Sequence, residues 1–323
     1  MRRIAVMTSG GDAPGMNAAI RAVVRVALHC GLEVRGVRRG YAGLLAGQTE
    51  ELSARSVGGI IQRGGTVLGT AREAAMLMPD GPRQALDVLH REGIDGLVVI
   101  GGDGSLRGAL ALHRLGFPVV GVPASIDNDI YGTDLAIGVD TALNTALEAI
   151  DRIKETASSH NRAFIVELMG RHSGYLALTA GLAGGAEMVL IPEVEVDPAR
   201  VVQELREAYA RGKPHFIVVV AEGARYNAAR LQQYIEHAED GVGFETRLTV
   251  LGHVLRGGAP TVHDRLLASR LGAEAVAQLA AGVSGVMVGL VKGAETTTDL
   301  ETVTQRIRAI DPEIYRLADI LAA

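Results

Sequence analysis

Short apolar runs alternate with longer amphipathic stretches along the chain. The runs at 4–7, 96–100, 119–122, 164–169, 188–191, 216–221, 249–251 and 286–291 have the length and Val/Ile content of strands buried on both faces, as a parallel sheet requires. Between them, apolar residues recur at helical spacing. Leu143, Ala146, Leu147, Ile150 and Ile153 share one face, as do Val201, Val202, Leu205, Ala208 and Tyr209. This alternation predicts an α/β fold of doubly wound, mainly parallel sheets with helices on both faces. Over 222–243 the apolar pattern lapses into Asn, Ala, Gln and Glu, and that stretch reads as a surface insertion.

Composition narrows the classes. A chain of 323 residues suffices for one large or two medium domains. With 48% hydrophobic against 21% charged residues, extended disorder is excluded. No Trp and only 4 Phe leave an aliphatic core and make stacking on nucleobases an unsuitable main binding mode. The formal charge is −5 and the basic residues are scattered, so no nucleic-acid footprint is visible. The single cysteine, Cys30, excludes an intrachain disulfide framework and fits a reducing cytosol. The apolar start at 4–7 is too short for a signal peptide, and no stretch approaches the ~18–20 apolar residues of a membrane span. A cytoplasmic protein is expected.

Candidate chemistry gathers where runs end in glycine. Ser9-Gly10-Gly11-Asp12 follows the first run and opens a helix expected near Ala18. Free N–H groups at a helix start, unobstructed by side chains, form an anion cradle; a tight turn with glycines for geometry alone is the other reading. Neither G-x-x-x-x-G-K-[ST] nor G-x-G-x-x-G matches this turn. Gly101-Gly102-Asp103-Gly104-Ser105 repeats the Gly-Gly-Asp signal after the run at 96–100, where Asp103 either caps the next helix or holds Mg²⁺. A third turn, Ser125-Ile126-Asp127-Asn128-Asp129, offers one carboxylate as proton acceptor and a second as metal organiser, or is simply a solvated turn. Turns at the carboxyl ends of strands in one open sheet face a common crevice. Arg72, Arg162, Arg171, Arg247 and Arg256 flank apolar runs and are candidate cations for phosphate. Arg21 and Arg25 share a helical face, and Arg211 and Lys213 precede a strand.

These motifs, with Arg63-Gly64-Gly65-Thr66, Met169-Gly170-Arg171-His172 and Val250-Leu251-Gly252-His253-Val254-Leu255-Arg256-Gly257-Gly258, resemble the bacterial ATP-dependent 6-phosphofructokinase family over essentially the whole chain. A motif similar to Gly-Gly-Asp-Gly-Ser is also carried by NAD and diacylglycerol kinases; all six motifs in order are specific. The resemblance implies two Rossmann-like domains, each discontinuous: 1–138 plus about 256–303 for the nucleotide, and 139–255 plus about 304–323 for the sugar phosphate. It implies an ATP site at Gly11, Tyr41, Arg72, Gly102, Asp103, Gly104 and Ser105, with Asp103 the Mg²⁺-associated acid. Asp127 is the implied base toward the sugar 1-hydroxyl and Asp129 its partner; Gly11, Arg72 and Arg171 stabilise the transferring group. Ser125, Met169, Gly170, Arg171, Glu222, His253 and Arg256 match the fructose 6-phosphate site. Arg162 and Arg247 match residues that serve a neighbouring subunit, which implies a homotetramer. Arg21, Arg25, Lys154, Gly185, Glu187, Arg211, Lys213 and His215 match an allosteric site for ADP and phosphoenolpyruvate.

Several positions depart from the family pattern. Gly104 and Ala124 lack the Asp and Lys of pyrophosphate-dependent relatives, which favours ATP, although Ala124 is not the Gly usual in ATP enzymes. Ser125 replaces Thr and keeps the hydroxyl. Glu73-Ala74-Ala75-Met76-Leu77-Met78 replaces an aromatic-containing stretch near the nucleotide, and Lys154 stands where Arg is usual, giving a point charge in place of a bidentate fork. The alternatives are a pyrophosphate-dependent phosphofructokinase and a non-catalytic regulatory subunit; intact Asp103, Asp127, Asp129 and Arg171 speak against the second.

Overall fold

The structure, a computed structural model, describes residues 1–322. Among these, the strands in chain order are β1 Arg3–Ser9, β2 Glu33–Val37, β3 Thr49–Glu51, β4 Gly96–Gly101, β5 Val119–Pro123, β6 Arg162–Leu168, β7 Met188–Leu190, β8 Phe216–Ala221, β9 Glu245–Val250, β10 Val286–Val291 and β11 Ala294–Asp299. The chain divides into two compact units: Met1–Thr141 with Arg256–Arg308, and Ala142–Leu255 with the chain from Ala309 on. Each holds one sheet.

In the first unit the sheet order is β11-β10-β5-β4-β1-β2-β3. The five inner strands run parallel, and antiparallel β3 and β11 close the edges. Every residue of β4 and β5 is buried, as expected for strands covered on both faces. The helices Met16–His29 and Val262–Ala280 pack on one another; the first begins two residues before the expected Ala18. Chain order reverses at β1, whose neighbours are β2 on one side and β4 on the other. Between β1 and β4 lies the topological switch point, where the crevice of such a sheet opens.

In the second unit the order is β7-β8-β6-β9, all parallel. Its core joins Ile165, Leu190, Val201, Leu205, Phe216, Val218, Val220, Leu231, Ile235 and Phe244. This corrects the reading of 222–243 as a surface insertion. Residues Ala228–Glu236 form a helix, capped by Asn227, whose side chain accepts from Arg230 N. Ala228, Leu231 and Ile235 are buried at i, i+3 and i+7, a stripe too narrow to stand out among polar neighbours. Strand β9 likewise starts at Glu245 rather than 249. It is an edge strand with exposed Glu245 and Val250, so it lacks the continuous apolar run of a central strand. On the helix Pro198–Ala210, Val201, Val202, Leu205 and Ala208 are buried, while Tyr209 is largely exposed and meets Phe244 edge-on. Strands β2, β3 and β11 escaped the apolar pattern because charged residues interrupt β2 and polar residues fill β3 and nearly all of β11, as suits strands at or near an edge. No helix among the described residues is long and apolar enough to cross a membrane.

Candidate active site

In the first sheet, Ser9 pairs with Gly101 and Gly101 pairs with Pro123. Three adjacent strands therefore end at one level, and the three polar turns emerge side by side. They line a cavity of about 380 Å³ with Ser9, Gly10, Gly11, Gly102, Asp103, Gly104, Ser105, Ala124, Ser125, Asp127 and Asp129; Tyr41, Arg72, Glu73, Ala74, Leu77 and Arg256 complete its wall. Asp103 and Asp127 thus open onto the same space.

Each turn is held by polar groups. A side chain at Gly11 would collide with the guanidinium of Arg256, which donates to Asp12 O (3.2 Å); glycine lets this cation lie against the backbone. Arg72 sits on a strip pinned to the first turn, where Thr70 Oγ1 donates to Gly10 O (2.8 Å). The Arg63-Gly64-Gly65-Thr66 loop is anchored by Asn17, a residue the sequence reading left without a role. Its buried amide donates to Arg63 O, Gly64 O and Gly65 O and accepts from Val67 N (2.8 Å). Gly64 lies so close to Gly258 O that no Cβ would fit.

Asp103 begins the helix Asp103–Arg114 and makes no cap; Gly102 is the capping residue. Its carboxylate, about half exposed, receives Arg107 Nε at 2.8 Å one helical turn on. Tyr41 donates its hydroxyl to Ser105 O (2.8 Å), and burial lifts its pKa well above the usual phenol range, so it acts as a neutral donor.

The third turn alternates. Ser125, Asp127 and Asp129 are half-buried, whereas Ile126, Asn128 and Ile130 between them are buried. Ser125 Oγ accepts from Asp127 N (3.2 Å). Just beyond it, Asp264 is fully buried and accepts from Gly138 N (2.8 Å), Thr141 N (2.8 Å) and Thr141 Oγ1 (2.5 Å). Burial raises its pKa, partly offset by these donors. Its sequence signal was the cap of the helix Val262–Ala280, where Thr261 accepts from Asp264 N.

The second sheet has its own C-terminal edge. Leu168 pairs with Ala221, and Glu167 with Val250, so Met169, Gly170, Arg171, Glu222 and His253 all follow strand ends of this edge. Gly223 N donates to Gly170 O (3.1 Å), joining two of these turns; Arg171 and His253 are exposed. Arg162 and Arg247 are not brought to Arg171. Arg162 starts β6, Arg247 pairs with Phe164 near that start, and both grip Glu245, whose pKa Arg162 lowers most.

At the opposite edge of this sheet a mixed-charge cluster forms. Lys213 (3.5 Å) and His215 (3.9 Å) face Glu187, which also accepts from Ile217 N (2.7 Å). His215 Nδ1 meets Ser158 Oγ (2.8 Å), and burial is the main cause of its lowered pKa. Lys154 donates to Gly184 O (2.8 Å) and Gly185 O (3.4 Å). Glu187, Arg211 and Lys213 line a cavity of about 400 Å³. Arg21, half-buried, and Arg25, exposed, lie in the first unit on the helix Met16–His29.

Residues 3–279 match the family model described as phosphofructokinase. The chain is 56% identical to ATP-dependent 6-phosphofructokinase 1 of Thermus thermophilus and 51% identical to the ATP-dependent 6-phosphofructokinase of Halalkalibacterium halodurans, with full coverage of both chains in each case. Among solved structures it is similar to the phosphofructokinase of Saccharomyces cerevisiae (TM-score 0.88, 38% identity), covering 100% of this chain and 48% of the yeast chain. A pyrophosphate-dependent phosphofructokinase from Marinobacter aquaeolei shares the fold at 21% identity (TM-score 0.87), covering 100% of this chain and 91% of that one. An α/β architecture of parallel-rich sheets, three polar turns that line one cavity, and full-length identity above 50% agree: the chain belongs to the phosphofructokinase family.

Proposed function

We propose that this protein transfers the γ-phosphoryl group of ATP to the 1-hydroxyl of fructose 6-phosphate, giving fructose 1,6-bisphosphate and ADP in the committed step of glycolysis. The observation that carries this reading is the register Ser9–Gly101–Pro123, which places Gly11, Asp103 and Asp127 around one cavity. The hydroxyl oxygen attacks the γ-phosphorus, the bond to the ADP oxygen breaks, and Asp127 takes the hydroxyl proton. Asp129 supports it. Arg72, Arg171 and the N–H groups at Gly11 are proposed to stabilise the charge that develops on the transferring group, and Arg256 to hold the sugar phosphate. Tyr41, Gly102, Gly104 and Ser105 are proposed to hold the nucleotide, and Ser125, Met169, Gly170, Glu222 and His253 the sugar phosphate.

The donor set fits Mg²⁺. No group of three metal-ligating side chains exists among the described residues, but Mg²⁺ is usually held by one or two carboxylates with water and substrate phosphate, which Asp103 at the cavity supplies. Bound there with the nucleotide, Mg²⁺ would neutralise phosphate charge.

ATP is the proposed donor because relatives at 50–56% identity are named ATP-dependent, and because the space around Gly104 is open, with no atom from beyond its own helical turn within 4 Å of where its Cβ would be. Assaying the isolated chain with ATP and with pyrophosphate tests both this and the silent-subunit alternative. Turnover with pyrophosphate alone, or with neither, refutes the reading. A cytoplasmic homotetramer belongs to the same proposal, with Arg162 and Arg247 serving a neighbouring subunit. So does an ADP and phosphoenolpyruvate site at Arg21, Arg25, Lys154, Gly185, Glu187, Arg211, Lys213 and His215. There Lys154 already serves two backbone carbonyls.

A further inference from the structure

Asn128, between the two carboxylates of the third turn, is a polar residue facing inward. It is 1% exposed, and its neighbours Ile126 and Ile130 are each 2% exposed. It is also left-handed, with φ of 49°, a region that Asn tolerates better than other residues with a side chain. Its amide explains why it stays there. Nδ2 donates to Asp134 O (3.2 Å), and Oδ1 accepts from Ala136 N (3.0 Å). The side chain thereby ties the turn to the chain that returns beside β5, where Ser125 N donates to Ile137 O (3.1 Å). Buried amides persist where such partners exist.

A second tie comes from far along the chain. Ile130 and Ile307 form an antiparallel bridge. Arg308 N donates to Asp129 O (3.0 Å), and Arg308 Nη1 reaches Asn128 O (3.5 Å). Arg308 is the last residue of the first unit before the chain leaves it.

We propose that Asn128 and Arg308 are positioning residues for phosphoryl transfer: the left-handed kink at Asn128, pinned from within by its amide and from outside by Arg308, holds Asp127 and Asp129 toward the cavity. A regular extended segment would need no such kink, and a solvated turn would need no buried amide. This proposal rests on the phosphofructokinase reading of Asp127.

The test is a double-mutant cycle with Asp127→Asn, reading kcat, both KM values and the pH dependence of kcat. Asn128→Gly keeps the backbone freedom and removes the tether. Because a misplacement of about 1 Å costs on the order of 10²-fold, kcat should fall by roughly that factor while both KM values stay within about threefold. The acid limb of the pH profile should shift as the environment of Asp127 changes. In the Asp127→Asn background the same change should cost almost nothing further, since no base remains to be placed. Arg308→Pro removes both the N–H and the guanidinium, two contacts with the turn, and should lower kcat by about 10- to 100-fold, with the same non-additivity. It carries the cycle if Asn128→Gly does not fold. Equal losses in both backgrounds, or wild-type kcat in Asn128→Gly, overturn the positioning role. Asp127→Asn alone at wild-type turnover refutes instead the assignment of the base, and the positioning proposal falls with it.

Discussion

The C-terminal edges of the two sheets differ in how much of a site each completes. In the first unit, three turns leave paired residues of adjacent strands and enclose a cavity whose carboxylates and cations all come from that unit. Buried Asn128 ties the third turn to the chain at Asp134 and Ala136, and buried Asn17 and Asp264 brace the neighbouring segments at 63–67 and 138–141. In the second unit, the corresponding edge presents exposed Arg171, His172 and His253 on turns joined mainly by backbone hydrogen bonds. Preorganisation at the first edge suits the chemical step, where small displacements are costly. An exposed arginine at the second suits the capture of a charged ligand, which replaces water around it.

The contrast sets the order of the expected effects. Asp127→Asn should lower kcat by about 10³-fold while sugar-phosphate binding, followed by isothermal titration, changes little. A variant that keeps turnover would place the chemistry elsewhere. Arg171→Ala should cost on the order of 10²-fold in kcat/KM, and Arg171→Lys should recover only part of it, since a point charge does not reproduce a planar fork. Steady-state kinetics showing no loss would mean that the second edge is only surface. Leu231→Ala, on the helix the sequence reading took for an insertion, should destabilise the protein by about 2–5 kcal/mol in urea unfolding. A negligible change there would restore the insertion.

The smallest effects are those of pH, and the two units should differ in sign. Burial holds the Asp264 carboxyl above its ordinary 3.8, so its contribution to stability is complete below about that pH and is lost as pH rises through the raised value. Burial pushes His215 below its ordinary 6.5. Its contribution is complete above about that pH and is lost as pH falls through the lowered value. Unfolding midpoints followed across the acid-to-neutral range should lose the first slope in Asp264→Asn and the second in His215→Gln. Unchanged slopes in both variants would remove these groups from the pH response.

Legibility followed the kind of signal. Central strands such as β4 and β8 are buried on both faces, so each leaves an uninterrupted apolar run. Edge strands β9 and β11 keep one side in water, and their mixed patterns hid them or shifted their bounds. The three polar turns were readable because glycine and aspartate after a strand carry a local chemical meaning. Asn128 looked like part of a solvated turn for the same reason: its neighbours are carboxylates, and nothing nearby announces that its partners are Asp134 and Ala136. The cap at Thr261 marks Asp264 only as a first-turn helix residue; its role in bracing the site was hidden because its donors at Gly138 and Thr141 lie more than 120 residues away.

By itself the amino-acid order determined the α/β class, the central strands, the glycine turns and the family likeness. These depend on periodicity and on residue types within a few positions. Only the tertiary structure decided that Ser9, Gly101 and Pro123 share one level, that Asn128 points inward, and that Arg162 and Arg247 turn to Glu245 rather than Arg171. Parallel pairing between distant strands depends on the packing of the whole sheet, and no short window of residues contains that information.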